Sequence, residues 1–338
     1  MIKKECFTAE WIEQVSSELH YNDKNLIEKV IRALSLLEML VKAGCPLVFK
    51  GGTALMLILG KSAHRLSIDI DLICPPGTNI EDYLKSFADF GFINLELVER
   101  KQRDDADIPK SHSKFFYQIA YRNDTDAQSY ILLDVLYEDI HYFRTQQIAI
   151  NCPFIRLEGK PLMVTVPSAE DILGDKLTAF APNTTGIPYY RNGRSCSMEI
   201  AKQLYDVGRL FENVSDLQIT KEAFRKIAVV ELSYRSFGTD IGQVFNDIRQ
   251  TALCISTRGK AGEGDFDLIQ DGIIRVKSFM YKQRYLIDHA IIDAARAAYL
   301  ATLIEKGINE IESYSNNPAD IKDMVIRPSL PNKLNNLR

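Results

Sequence analysis

Two neighbouring stretches decide how this chain is interpreted: KGGTAL at residues 50–55 and RLSIDIDL at residues 65–72. The first places two glycines between a short apolar strand pattern, Leu47–Lys50, and a helical pattern, Thr53–Leu59. The second opens a predicted strand, Ser67–Cys74, which two prolines and a glycine end. The order strand, Gly-Gly, helix, strand is more informative than any of its parts, because tight Gly-Gly turns and alternating acids on strands are each common.

Side-chain alternation separates the polar and apolar residues of the predicted strand Ser67–Cys74. Successive side chains of a strand point to opposite faces, so Ser67, Asp69 and Asp71 share one face. The residues between and after them face the core: Ile68, Ile70 and Leu72. Two carboxylates on one face repel each other, and a divalent cation between them removes that repulsion. Hard oxygen ligands of this kind suit Mg²⁺ or Mn²⁺.

The glycine pair supplies the second half of a candidate site. Gly51 and Gly52 allow main-chain N–H groups to approach a phosphate, and a helix that starts at Thr53 favours negative charge at its N-terminus. We expect Thr53 to contact phosphate, and Arg65 either to bind phosphate or to pair with Asp69 or Asp71. A metal-bound triphosphate at this site would undergo in-line attack on its α-phosphate.

Three more residues are candidates for the site. Lys176 lies two turns into a helix predicted to start at Ser168, where it either reaches an anionic substrate or stays solvated on the surface. Asp206 lies in a helical stretch and either orients Lys176 or the attacking group, or pairs with Arg209. Asp134 interrupts an apolar strand run, where an acid is costly to bury unless it is paired or bound to metal; the alternative is an exposed acid.

These motifs resemble the nucleotidyltransferase superfamily and, more narrowly, the AbiEii/AbiGii toxin family. The family's S-x-D-x-D element matches Ser67, Asp69 and Asp71. Its second motif resembles PSAEDILGDKL at residues 167–177, with the lysine at Lys176, and a later motif resembles YDV at residues 205–207, with Asp206. The matches cover about half of the chain, and the C-terminal third is interpreted from its helical pattern alone.

The resemblance implies transfer of a nucleotide from an NTP to an acceptor, with RNA (tRNA) as the leading candidate. It implies that Asp69 and Asp71, joined by Asp134 as a third carboxylate, bind Mg²⁺ or Mn²⁺. Lys176 would offset the charge of the triphosphate, and Asp206 would position or activate the acceptor. As a toxin of an abortive-infection or toxin–antitoxin pair, the protein would have a cognate antitoxin, whose direct binding stays open.

Two other functions remain open. The acceptor is either RNA or the hydroxyl of a small molecule or protein, and Ser67 either donates to a phosphate oxygen or itself accepts the transferred group. The other alternative is a non-catalytic nucleotide-binding regulator, although the intact pair Asp69 and Asp71 argues against it.

The element pattern predicts an α+β protein. We expect an N-terminal mixed sheet with flanking helices over residues 1–166, a helical domain over 167–325 that completes the active site, and a loose tail over 326–338. Helices are predicted over Asn25–Ala43, Glu81–Phe90 and, as one long helix, Asp271–Gly307. The charged segment Lys101–Lys114 is predicted to be a loop or a mobile hairpin.

Composition narrows the class of protein. The 338 residues carry 41 basic and 45 acidic side chains, a net charge of -4, so a nucleic-acid partner needs a local basic patch. The segment 183–197, with Tyr189, Tyr190, Arg191 and Arg194, is either such a patch or a flexible loop. The six cysteines form no CxxC pair and the five histidines are dispersed, which argues against zinc and disulfides and suits the cytoplasm. We expect no membrane span and assign no histidine to chemistry.

Overall fold

The computed structural model describes residues 1–98, 110–122, 127–214, 216–235, 238 and 240–312. The chain divides into two compact units. The first contains Met1–Ser168 and the segment Ser278–Arg284, and the second contains Ala169–Lys277 and the chain from Tyr285 onward. The predicted tail over 326–338, and residues 101–109 of the charged segment, lie outside the described residues.

A five-stranded mixed sheet forms the centre of the first unit. Its strands are β1 (Val48–Lys50), β2 (Ile70–Cys74), β3 (Asn94–Val98), β4 (Lys110–Gln118) and β5 (Gln128–Tyr137), in the spatial order β1-β2-β5-β4-β3. Strands β2 and β5 are parallel, and the other pairs are antiparallel. The mixed sheet predicted from the sequence is confirmed. Residues 110–114, predicted as part of a loop or mobile hairpin, belong to β4.

The described part of the first unit also contains three α-helices and a second small sheet. The helices are α1 (Ala9–Leu19), α2 (Lys24–Lys42) and α3 (Gly51–Leu59), and the small sheet pairs β6 (Thr145–Ala149) with β7 (Met163–Pro167). Helix α2 was predicted within one residue at each end, because its apolar residues recur every three or four positions. In the structure, Asp23 caps its N-terminus by accepting from the N–H of Leu26 at 3.0 Å. Helix α1 and strand β6 were not predicted.

One face of the five-stranded sheet is buried in the core with α2. The buried side chains on this face alternate with partly exposed ones along the middle of β4 and β5 and at the start of β2. They include Phe49, Ile70, Leu72, Phe115, Tyr117, Ile131, Leu133 and Val135. The burial of this face leaves the opposite face of the sheet to carry the polar side chains.

The second unit is mainly helical, as predicted. It contains α4 (Ala169–Ala179), α5 (Ser197–Phe211), α6 (Leu217–Tyr234), α7 (Ile241–Ser256), α8 (Phe266–Val276) and α9 (Ile287–Lys306). A two-stranded hairpin, β8 (Tyr190–Arg191) with β9 (Arg194–Ser195), lies between α4 and α5 in the chain. Among the described helices, none combines the length and the apolarity that crossing a bilayer requires.

Two helix predictions were wrong. The segment Glu81–Phe90 forms two short 3-10 helices, Ile80–Tyr83 and Phe87–Phe90, because its Asp, Ser, Tyr and Phe residues have low helix propensity. The predicted helix Asp271–Gly307 is interrupted between α8 and α9.

Hydrogen bonds to a distant part of the chain interrupt that second helix. The carbonyl of Phe279 accepts from the N–H of Leu66 at 2.8 Å, and the N–H of Tyr281 donates to the carbonyl of His64 at 3.0 Å. Helical hydrogen bonds are local, and these distant partners replace them over the segment Ser278–Arg284. The periodicity of the sequence does not contain this information.

Candidate active site

Four charged or polar side chains form a row across the five-stranded sheet. Lys50 on β1 is the register partner of Asp71 on β2, Asp71 is the partner of Asp134 on β5, and Asp134 is the partner of His112 on β4. Register partners on adjacent strands share a face of the sheet. The two carboxylates therefore lie side by side, with a lysine on one flank and a histidine on the other.

Strand β2 begins at Ile70, so the predicted start at Ser67 was wrong. The preceding segment pairs elsewhere: Arg65 forms an isolated antiparallel bridge with Met280, and the N–H of Leu66 is bonded to Phe279. Ser67 and Asp69 therefore precede the strand, and the alternation of buried and partly exposed side chains holds from Ile70 to Leu72. Ile70 is 0% exposed and the following Asp71 is partly exposed, which directs the Asp71 carboxylate away from the core.

Polar side chains lie so close to the main chain at Gly51 and Gly52 that there is no room for a Cβ atom at either position. Gly51 has a φ of 78°, and a Cβ atom there would lie 2.0 Å from Oδ2 of Asp71. A Cβ at Gly52 would lie 2.6 Å from Oγ of Ser67 and 2.9 Å from Nη2 of Arg65. Three predicted site residues, distant from the glycines in the sequence, therefore lie against the main chain of Gly51 and Gly52.

Helix α3 begins at Gly51 itself, two residues before the predicted start. Its N-cap residue, Lys50, makes no side-chain cap hydrogen bond. The first N–H groups of a helix have no partner within the helix, and the helix dipole favours negative charge at that end. An anion is therefore favoured at Gly51 and Gly52, where the guanidinium of Arg65 adds a positive charge.

Thr53 differs from its expected role as a phosphate contact. Its side chain is 0% exposed, and its hydroxyl donates to the main-chain carbonyl of Asp69 at 2.7 Å. A hydroxyl has one hydrogen to donate, and here the main chain receives it. The contact ties the start of α3 to the peptide of Asp69, so the Thr53 side chain positions Asp69.

Replacing Gly51 by alanine should destabilise the protein through this close approach. Alanine at a positive φ costs roughly 1–2 kcal/mol, and its Cβ must also displace the Asp71 carboxylate. Gly44→Ala is a matched control, because Gly44 has a φ of 75° and no atom lies within 4 Å of the place that a Cβ would occupy there. Urea unfolding should show a larger loss of unfolding free energy for Gly51→Ala than for Gly44→Ala. Equal losses would contradict the proposed steric role of Asp71.

Asp134 is hydrogen-bonded by a residue that sequence reasoning missed. Nδ1 of His112 contacts Oδ1 of Asp134, and the Asp134 side chain stays 35% exposed. The register that joins them exists only once β4 and β5 pair. A histidine in an alternating polar strand gives no signal for this contact in the sequence itself.

The carboxylates of this face fit a divalent metal of the Mg²⁺ type. Within the described ranges, no three His, Cys, Asp or Glu side chains are placed to hold one metal ion. Mg²⁺ in proteins commonly uses one or two carboxylates and takes its other ligands from water and substrate phosphates. The crowding of Asp71 against Gly51 places one such carboxylate beside the candidate phosphate position, and Asp69 as its partner ligand stays a prediction. Asp134 as a third ligand stays a prediction.

A basic and aromatic cluster borders the acidic residues. The amino group of Lys29 lies 5.4 Å from the ring centroid of Tyr130, and that of Lys114 lies at the same distance. The ring of Phe116 lies 5.7 Å from that of Tyr130. Burial lowers the pKa of Lys29, while the carboxylates of Asp69 and Asp23 act in the opposite direction. The Lys29 ammonium therefore lies within electrostatic range of Asp69.

In the second unit, Lys176 and Asp206 form a buried ion pair. Nζ of Lys176 lies 3.0 Å from Oδ2 of Asp206, and the side chains are 8% and 2% exposed. Nζ also donates to Oε1 of Gln203 at 2.9 Å. The alternative of a solvated surface lysine is therefore wrong. Of the contacts considered for Asp206, the structure shows the pair with Lys176; the catalytic roles of both residues stay predictions.

Comparison with known proteins identifies a family. Residues 34–305 match the protein family described as nucleotidyl transferase AbiEii toxin of the type IV toxin–antitoxin system. No curated protein matches the sequence. Among solved structures, JHP933 from Helicobacter pylori is 15% identical, with coverage of 91% of this chain and 95% of that chain and a TM-score of 0.41. MenT4, a nucleotidyltransferase toxin from Mycobacterium tuberculosis H37Rv, is 14% identical, with coverage of 87% and 89% and a TM-score of 0.43. The family match, which spans more than half of the chain, is the finding that bears on function.

Proposed function

The chain belongs to the AbiEii family of nucleotidyl transferase toxins, and we propose that it transfers a nucleotide from an NTP to RNA with the help of a divalent metal. The protein is a nucleotidyltransferase of a toxin–antitoxin system. The observation that supports the finer proposal is the convergence of Asp71, Ser67 and Arg65 on the main chain of Gly51 and Gly52. Acidic, hydroxyl and cationic groups meet there at the N-terminus of a helix, as a metal-bound triphosphate requires.

In this proposal, different residues of the first unit bind the phosphates, bind the metal and hold these groups in position. The N–H groups of Gly51 and Gly52 bind phosphate oxygens, and Arg65 balances their charge. Asp69 and Asp71 would hold Mg²⁺ or Mn²⁺, which when bound neutralises charge on the reacting phosphate. Thr53 keeps the Asp69 peptide in place through its hydrogen bond. Ser67 donates a hydrogen bond to a phosphate oxygen.

The reaction is a substitution at the α-phosphorus. An acceptor hydroxyl oxygen forms a bond to the α-phosphorus as the bond from that phosphorus to the pyrophosphate oxygen breaks. Pyrophosphate leaves with the electron pair of the broken bond, and the hydroxyl proton of the acceptor passes to solvent water. The chain's contribution is positioning and electrostatic stabilisation, because phosphoryl transfer needs little else from the protein.

The basic and aromatic cluster beside the carboxylates favours RNA as the acceptor. Tyr130 is 38% exposed, the amino groups of Lys29 and Lys114 each lie 5.4 Å from its ring centroid, and Lys114 also pairs with Glu96 at 3.5 Å. Exposed aromatic rings stack on unpaired bases, and lysines attract the phosphates that follow them. The chain is acidic overall, so a local cluster of this kind is what RNA binding requires. A small-molecule acceptor would not need it.

A transfer assay tests the proposal. Purified protein with Mg²⁺ is incubated with each α-labelled NTP in turn, with total bacterial tRNA and, separately, without RNA. We expect label on tRNA from one NTP or a few, and loss of that label when EDTA removes the metal. Label on the protein itself would contradict RNA as the acceptor and make Ser67 the first residue to examine. Binding of nucleotide without any transfer would instead support the regulator.

A further inference from the structure

A hairpin in the second unit places two arginines side by side. Strand β8, Tyr190–Arg191, pairs with β9, Arg194–Ser195, so that Arg191 is directly opposite Arg194. The connecting residues, Asn192 and Gly193, have φ values of 51° and 73°. Positive φ at both central residues is the requirement of a type I′ turn, whose twist matches that of a two-stranded hairpin. The segment therefore has a defined hairpin geometry.

The facing arginines are unfavourable for the hairpin on its own. Like charges directly opposite each other on paired strands repel. Within the part of the chain that the structure describes, neither guanidinium has an ion-pair partner. Arg235 adds to the positive charge: burial lowers its pKa, Glu231 opposes that effect, and the nearby charge of Arg191 lowers the pKa further. A negatively charged ligand would relieve this repulsion.

Buried polar contacts hold the chain that leads into the hairpin. The carboxylate of Asp247, 5% exposed, accepts from the N–H of Asn183 at 2.9 Å, from its side-chain amide at 2.7 Å and from the hydroxyl of Thr184 at 2.8 Å. Arg235 donates to the carbonyls of Thr184 at 2.9 Å and Gly186 at 2.6 Å. A buried carboxylate with several donors fixes the chain around it.

The hairpin also presents an aromatic ring to solvent. Tyr190 is 57% exposed, and side-chain alternation places it on the opposite face from Arg191 and Arg194. Its chain neighbour Tyr189 is instead partly buried, and its hydroxyl lies 2.5 Å from the place that a Cβ would occupy at Gly264. One tyrosine thus attaches the base of the hairpin to the second unit, and the other is free to stack.

We propose that this arginine hairpin, residues 190–195, is an RNA-binding element in which Arg191 and Arg194 contact backbone phosphates and Tyr190 stacks on an unpaired base. Arginine pairs suit phosphate oxygens because of their multiple donors, and aromatic stacking accepts any base. The proposal rests on the proposed function in one respect, the choice of RNA as the anionic partner. It is a binding site for the acceptor, made of residues other than those assigned to nucleotide chemistry.

Fluorescence anisotropy measures the affinity for a labelled, unstructured RNA of roughly 12 nucleotides, a length within the range that single-strand binding domains cover. Because no NTP is present, the assay tests the role of the arginines in binding independently of nucleotide transfer. The double variant Arg191→Glu, Arg194→Glu should bind at least about tenfold more weakly than the native chain at ~0.1 M salt. The slope of log affinity against log salt should fall by about 1.4, since each lost phosphate contact on a single strand contributes about 0.7. The control is the double variant Lys277→Glu, Lys306→Glu, which reverses two exposed charges of the same unit. It should lose less RNA affinity, and its salt slope should fall less, than the arginine double variant.

The single variant Arg191→Glu separates binding from folding. It converts the like-charge pair into an opposite-charge pair, so its melting temperature should equal or exceed that of the native protein while RNA binding falls. Tyr190→Ala should weaken binding by about tenfold with little change in salt slope, and Tyr190→Phe should restore it because the ring is kept.

The outcomes distinguish this proposal from the proposed function. If the native protein binds RNA and transfers nucleotide, and the hairpin variants bind RNA equally well, the RNA-binding role of the hairpin is overturned. The proposed function then still stands. Native protein that binds no RNA would overturn both the RNA acceptor and the hairpin. Variants that lose affinity for polyglutamate but keep affinity for RNA would assign the hairpin to an acidic protein partner and overturn its role in RNA binding.

Discussion

Asp69→Ala and Asp71→Ala should each lower nucleotide transfer by about 10³-fold or more. A metal at a reacting phosphate supplies several kcal/mol of stabilisation, and about 1.4 kcal/mol corresponds to a tenfold rate. Asp71 also lies against Gly51, where the phosphates are proposed to bind. The initial rate of label transfer to tRNA at saturating NTP measures the effect.

Stability separates a catalytic loss from misfolding in these variants. Asp71 has Asp134, of like charge, as one register partner and Lys50, of opposite charge, as the other, so the two effects oppose each other and removal of the Asp71 carboxylate should change the unfolding free energy little. Asp89→Ala is the matched control, since Asp89 is an exposed acid of the same unit, and it should transfer nucleotide at the native rate. A stable Asp69→Ala variant with a rate within about threefold of native, a barrier change below ~1 kcal/mol, would exclude the proposed metal role.

Asp206→Ala should lower the free energy of unfolding by about 3–5 kcal/mol. Lys176 and Asp206 are both buried, and removal of one partner leaves the other charge buried without compensation. Urea unfolding measures the loss. The exposed pair Arg258 and Asp288 provides the control, because Asp288→Ala should change stability by only about 0–1 kcal/mol.

The double variant Lys176→Met, Asp206→Leu tests whether this pair also acts in the reaction. It removes both buried charges, so its stability should return towards the native value or exceed it. If the roles predicted from the resemblance are right, it should nevertheless transfer no nucleotide. A stable double variant with native transfer would show that the pair is structural only.

Local patterns in the sequence predicted the elements that carry the site. Helix α2 follows from apolar residues every three or four positions, and the outward direction of Asp71 follows from its place between Ile70 and Leu72. The glycine pair was identified because glycines at a strand-to-helix turn let main-chain N–H groups approach a phosphate. Each of these inferences uses neighbours in the chain.

Contacts between residues distant in the sequence explain the features that were predicted incorrectly. Strand β2 starts at Ile70 because the segment before it pairs with residues around Phe279, more than two hundred positions later. The same contacts interrupt the predicted helix Asp271–Gly307. The hydroxyl of Thr53 was expected to reach phosphate, and burial directs it to the carbonyl of Asp69.

The fold class, the family motifs and the residue types of the site could be predicted from the sequence, because periodicity and spacing are local properties of the chain. Which of those residues meet depends on the pairing of strands and the packing of distant segments. The row of Lys50, Asp71, Asp134 and His112 exists because three pairs of strands adopt one register. The closeness of Asp71 to Gly51 likewise depends on the packing of α3 against the sheet. A shift of one residue in any of these registers would turn a side chain to the opposite face, and strand register is set by the packing of the whole core, which no single segment encodes.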